Sequence, residues 1–106
     1  MRIAVIDGQG GGIGRLITEQ IRKNLLQKTE IIALGTNAIA TSLMLKAGAN
    51  EGASGENAVI QNVDDVDVIV GPLGIILAHS MRGELTAKMA EAIANSKAQK
   101  LLLPLT

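Results

Sequence analysis

Residues 2–15 read Arg-Ile-Ala-Val-Ile-Asp-Gly-Gln-Gly-Gly-Gly-Ile-Gly-Arg, and the fold turns on them. Ile3-Ala4-Val5-Ile6 is apolar without alternation, the pattern of a strand buried on both faces in a parallel sheet. A glycine-rich turn follows at once. Beyond it Ile13, Leu16, Ile17, Ile21 and Leu25 recur at helical spacing, with Arg15, Thr18, Glu19, Arg22 and Lys23 on the other side. This predicts an amphipathic helix of about four turns that ends near Lys28. Glu19, four residues before Lys23, adds a supportive surface pair.

Working outward, Glu30 to Leu34 is a second apolar strand, closed by Gly35. Thr36 or Asn37 can N-cap a helix from Ala38 to about Ala47, with Gly48 just past its end. Ala49 to Asn57 has the composition of a loop, and Ala58 to Gln61 reads as a short strand. Val66 to Val70 is a further strand, broken by Gly71-Pro72-Leu73-Gly74. Ile75 to Met81 reads as helical, with Gly83 as an interruption, and a longer helix runs from about Thr86 to Ser96. Lys100 to Leu103 is the last strand, ended by Pro104. This alternation predicts an α/β fold. It is an open, mostly parallel, doubly wound sheet of about five strands with helices on both faces, Rossmann-like, in a single domain over residues 1–106. The expected strand order is 3-2-1-4-5, with the flavodoxin-like order as the alternative. An apolar strand with no helix after it leaves two expectations: a partner beside it, or a sequence truncated at its C-terminus.

Composition narrows the function. An apolar fraction of 47% and a mean hydropathy of +0.31 supply one packed interior. The longest apolar runs, Ile75 to Ala78 and Leu101 to Leu103, are too short to cross a bilayer, so no membrane partner is expected. There is no Cys, which excludes disulfides, zinc–thiolate sites and thiol nucleophiles and fits a cytoplasmic location. Ten basic and ten acidic residues balance, so no overall field attracts nucleic acid. The chain also lacks Phe, Tyr and Trp, which removes base stacking.

The chemistry concentrates in Gly8-Gln9-Gly10-Gly11-Gly12-Ile13-Gly14, followed by Arg15. Glycines there let the backbone approach a ligand, and the helix start presents free N–H groups and positive partial charge. A small phosphorylated ligand is the natural occupant. The spacing G-x-G-x-x-G fails, because residue 13 is Ile and residue 15 is Arg. Gly8, Gly12 and Gly14 fit G-x-x-x-G-x-G, which resembles the cofactor turn of short-chain dehydrogenases, so NAD or NADP is the expected cofactor class. Gly35-Thr36-Asn37 and Gly71-Pro72 would join this turn beyond the carboxyl ends of the strands. The usual acid for an adenosine ribose is missing at the end of the second strand, where Thr36 and Asn37 stand, and no Arg is near to favour a 2′-phosphate. Asp7, directly under the turn, either accepts its backbone N–H groups or meets a ribose, a sugar or Mg²⁺.

Catalytic groups are sparse. Without Tyr, dehydrogenase chemistry of the short-chain kind is excluded, and without Gly-Lys-Ser/Thr so is a P-loop. His79 is the single histidine, and with Glu84 it could form a general base with an orienting carboxylate. The catalytic candidates are therefore Asp7, His79 and Arg82, with Asn37 beside them, in a small enzyme acting on a phosphorylated metabolite. Asp64, Asp65 and Asp67 fall at the amino edge of the sheet and read as a solvated face. A third reading is a homodimer that uses the apolar segment Leu73 to Met81.

Four segments carry a further resemblance: Met1 to Gly14 (M-R-I-A-V-I-D-G-Q-G-G-G-I-G), Ile32 to Ala49, Val66 to Ile76 and Met89 to Pro104. Together they resemble a short bacterial family of unknown function, Rossmann-like in pattern, from genomes of anaerobic Firmicutes type. The resemblance covers essentially the whole chain and implies the fold but no activity. Members of that family look longer, continuing past Leu103-Pro104-Leu105 into another strand and helix.

Overall fold

The computed structural model describes residues 1–25 and 28–105. Among the described residues, five strands form one sheet, all parallel, in the order β3-β2-β1-β4-β5. The central strand β1 (Arg2–Asp7) pairs with β2 (Glu30–Gly35) on one side and β4 (Val68–Pro72) on the other. The edge strands are β3 (Glu51–Ser54) and β5 (Gln99–Leu103). This is the doubly wound, Rossmann-like arrangement, and the strand order reverses between β1 and β4.

Alternate residues of β1 feed two separate cores. Ile3 and Val5 pack with Ile31, Ala33, Val70, Ala40 and Met44. This layer is covered by α1 (Gly12–Asn24) and α2 (Ala38–Lys46). Ala4 and Ile6 pack with Leu34, Ile69, Val59 and Met89 under α3 (Glu56–Asn62) and α4 (Ala87–Asn95). Burial of each large aliphatic side chain contributes about 1.5–3 kcal/mol, so the two layers together hold the chain without any aromatic residue. At the amino edge Arg2 ties three segments together, through its N–H to Asp67, its guanidinium to Asp65 and an ion pair with Glu30.

The expected N-cap holds for α2, and the structure adds one for α4. The Asn37 side chain accepts from Ala40 N at 2.9 Å, and Thr86 Oγ1 from Met89 N at 3.2 Å. Other expectations need correction. The segment from Ala49 to Asn57 is not all loop, because Glu51–Ser54 is the edge strand β3. It pairs only with β2 and stays largely exposed, so it carries none of the apolar patterning of a buried strand. Gly52 keeps it close to α2, where a Cβ would meet Thr41 Cγ2 at 2.7 Å. Ala58 to Gln61 lies within α3 and is not a strand. Val59 and Val63, four apart and fully buried, are its packing contacts, too few to display a period.

Helix α1 stops at Asn24, and Leu25 is extended; the expected run to Lys28 passes through residues 26 and 27, which lie outside the described residues. Leu16 is exposed and Thr18 is buried, the reverse of the apolar count, because Thr18 Oγ1 satisfies itself on Gly14 O at 2.7 Å. Strand β4 is shifted to Val68–Pro72, so Gly71 lies inside it. Ile75 to Met81 is not an α-helix. A 3₁₀ turn covers Leu73–Ile76 and another covers Met81–Gly83. Ser80 Oγ donates to Gly74 O at 2.5 Å, and His79, Met81 and Arg82 adopt positive φ, which breaks the α-helical ladder.

Gly71 lies close against β1: a Cβ there would lie 2.5 Å from Ile6 O. Gly71→Ala is expected to cost about 1–3 kcal/mol in urea unfolding. Gly10→Ala, where a Cβ would meet nothing within 4 Å, should change stability by under about 0.5 kcal/mol.

Candidate functional site

The reversal of strand order between β1 and β4 opens a crevice at the carboxyl ends of the strands, and the glycine turn fills its floor. A cleft of about 180 Å³ is lined by Asp7, the turn from Gly8 to Ile13, Pro72 and Met81. Gly11, at φ 77°, is the residue before the first turn of α1, and its N–H returns to Gly8 O at 2.9 Å. A Cβ at Gly11 would sit 2.7 Å from Ala40 Cα, so the turn is pressed against the start of α2.

The fate of each amide in the turn decides what the cleft offers. Gln9 N donates to Glu84 Oε1 at 2.7 Å, Gly14 N to Asp7 Oδ2 at 2.6 Å, and Arg15 N to Gly11 O at 2.9 Å. The amides of Gly10, Gly12 and Ile13 have no acceptor among the described residues. At Gly10 and Gly12 a Cβ would meet nothing within 4 Å, so the backbone faces open space there. Three uncommitted N–H groups thus stand at the positive end of α1.

Asp7 is 4% exposed and takes the role of internal acceptor that its place under the turn suggests. Burial pushes its carboxyl above the usual range; the amides of Gly14 and Gly8 pull it back, and the charge of Glu84 adds to the rise.

Glu84 has no place in a glycine motif, yet it joins both turns. Its Oε1 accepts from Thr36 Oγ1 at 2.6 Å, Gln9 N at 2.7 Å and Asn37 Nδ2 at 2.9 Å. Asn37 Nδ2 also reaches Gln9 O at 2.9 Å. The Thr36 hydroxyl first, then the Gln9 amide and the Asn37 side chain hold Glu84 below the usual carboxylate range, against a smaller opposing effect of burial.

The expected site residues therefore divide. Asp7, Gly8, Gln9, Gly10, Gly11, Gly12, Ile13 and Pro72 line the cleft. Thr36 and Asn37 stand beside it on Glu84. Gly14 lies behind the turn, packed on Asp7 and Met44. Gly35 and Gly71 are buried for packing, against Thr41 and Ile6 respectively. Arg15 pairs with Glu19 at 2.6 Å and does not line the cleft. His79 and Arg82 are exposed on the bend that carries Met81 over the cleft, and neither lines it. Within the apolar segment Leu73 to Met81, Ile75 enters the core while Leu77 is exposed. A second groove, about 350 Å³ between α3 and α4, has Ile60, Lys88, Glu91, Ala92 and Asn95 on its walls. No helix is long and apolar enough to cross a membrane among the described residues.

An open parallel sheet with a glycine turn at its point of strand reversal defines a Rossmann-like α/β domain. The chain belongs to the family described as "Domain of unknown function (DUF3842)", whose model matches residues 2–106. None of the curated proteins compared matches it.

The two carboxylates respond oppositely to pH. Asp7 binds its proton more tightly in the native state, so its ionisation lowers stability as pH rises from about 3.8 through the higher native value. Glu84 releases its proton more readily when folded, so its contribution is present above about 4.5 and is lost as pH falls through the lower native value. Asp7→Asn, which keeps an acceptor for Gly14 N, should raise the melting midpoint at neutral pH, with the gain shrinking below about pH 4. Glu84→Ala should lower the midpoint at neutral pH, with the loss shrinking in acid; a pH series of melts on both variants measures this.

Proposed function

We propose that the protein binds the phosphate or pyrophosphate group of a nucleotide in the cleft over Gly10, Gly12 and Ile13. The observation that carries this reading is the set of three amides at the start of α1, read here as an anion cradle, that have no acceptor among the described residues, with open space around the backbone at Gly10 and Gly12. A phosphate oxygen satisfies such donors and gains from the helix field. The cleft suits one phosphate or pyrophosphate, and the nucleosides of NAD or NADP would extend across the open carboxyl edge of the sheet.

The binding is amide-based, because no Lys or Arg lines the cleft. Asp7 is the acidic residue that lines the cleft, and both the Gly14 hydrogen bond and its raised proton affinity soften its opposition. A catalytic role has less support: of Asp7, His79 and Arg82, Asp7 alone lines the cleft, and the His79 side chain makes no hydrogen bond among the described residues.

Calorimetric melting with pyrophosphate, AMP and NAD at millimolar concentration tests the proposal. At a hundredfold excess over Kd, binding stabilises the native state by about 2.7 kcal/mol, a shift of several degrees. Gly12→Ala, at the first helical position, should leave the unliganded midpoint unchanged or higher. Its methyl group would occupy the mouth of the cradle and abolish the ligand shift. Absence of a shift with all three ligands in the wild type would overturn the reading.

A further inference from the structure

The end of β2 lacks the acid that reads an adenosine ribose in dinucleotide folds, but a carboxylate is nevertheless present there. It comes from Glu84, which follows the bend after β4, forty-eight residues along from Thr36. We infer that Glu84 is the ribose-reading residue of this domain: it accepts the hydroxyls of a nucleoside 2′,3′-diol and so selects a nucleotide with a free 2′-hydroxyl over one carrying a 2′-phosphate. The inference rests on the phosphate cradle proposed above.

Three observations support it. Glu84 Oε1 is fixed by three donors, from the end of β1 (Gln9) and from the β2–α2 turn (Thr36, Asn37). These are the two turns that an adenosine would span, with its pyrophosphate on Gly10, Gly12 and Ile13. The second oxygen, Oε2, receives no hydrogen bond from the described residues, and the side chain is only partly buried. The immobilised carboxylate thus retains the acceptor sites of Oε2 beside the cleft. Its donors also keep it ionised at neutral pH, which makes it acceptor-only. A diol offers two O–H donors to such a group; a phosphate offers like charge and no complementary donor. Arg82, which could reverse that preference, is exposed and does not line the cleft, and Arg15 is paired with Glu19.

The test compares NAD, NADP and inorganic pyrophosphate by isothermal titration calorimetry on the wild type and on Glu84→Gln. The variant keeps a carbonyl acceptor for Thr36, Gln9 and Asn37 while removing the charge. The wild type should bind NAD at least about tenfold more tightly than NADP, the value of one charge-assisted hydrogen bond. In E84Q, NAD should weaken about tenfold, whereas pyrophosphate should tighten about twofold as a nearby negative charge is lost. The opposite signs separate recognition of the ribose from support of the turn. Equal affinity for NAD and NADP, with pyrophosphate still bound, overturns this inference and leaves the cradle intact. Loss of all three ligands in proportion in E84Q also overturns it and makes Glu84 a structural clasp. Failure of the wild type to bind any of the three overturns the cradle and this inference together. Should E84Q not fold, the wild-type ranking of NAD against NADP decides alone.

Discussion

Every part of this molecule depends on β1 being dry on both faces. Ile3 and Val5 enter one layer and Ala4 and Ile6 the other, so helices must cover both sides and the strand must sit centrally. A central parallel strand whose neighbours wind away in opposite directions leaves a gap at its carboxyl end. The residues just beyond Ile6 cannot be packed as the strand is. They are Asp7 and the glycines, and they make the transition from a sealed interior to an open edge within a few residues. Asp7 illustrates the cost: its carboxyl is drawn into the interior, raised in proton affinity by burial, and held there by Gly14 N.

The turn is consequently a mixture of committed and uncommitted donors. Those nearest the sheet are occupied by the chain itself, on Asp7, Glu84 and Gly8 O. Those of Gly10, Gly12 and Ile13, at the outer lip, have no acceptor among the described residues. The committed donors hold the geometry of the turn. Glu84 adds a constraint of its own, because one oxygen atom links the turn after β1 to the turn after β2. The segment that delivers it contains three non-glycine residues at positive φ, His79, Met81 and Arg82. Such backbone costs on the order of 1 kcal/mol per residue, and the Glu84 hydrogen bonds are among the contacts that offset it.

How much of this could be read without coordinates follows from where the information lies. The strand–turn–helix opening, the parallel sheet, its order and the cap at Asn37 are local patterns with a physical period or a fixed offset. They were legible for that reason. Strand β3 was not, because an edge strand of Glu-Gly-Ala-Ser needs no apolar alternation when its stability comes from pairing with β2 alone. Helix α3 escaped because one fully buried residue in seven, Val59, with Val63 just past its end, does not make a period. The segment after β4 looked helical by composition, but Ser80 competes for Gly74 O and the chain turns left-handed. The cleft-lining glycines were found from spacing. Glu84, named only as a partner for His79, was not seen as part of the turn, since its contacts to Gln9 and Thr36 span more than forty residues and no motif encodes them.

The aliphatic interior also has an optical consequence. With no indole, phenol or phenyl ring anywhere in the chain, the polypeptide itself is nearly transparent in the near ultraviolet, and its unfolding leaves no trace there. A purine or nicotinamide ring resting on the sheet edge would supply the entire near-ultraviolet spectrum of the purified material. Any such band retained through gel filtration would belong to the guest and not to the host.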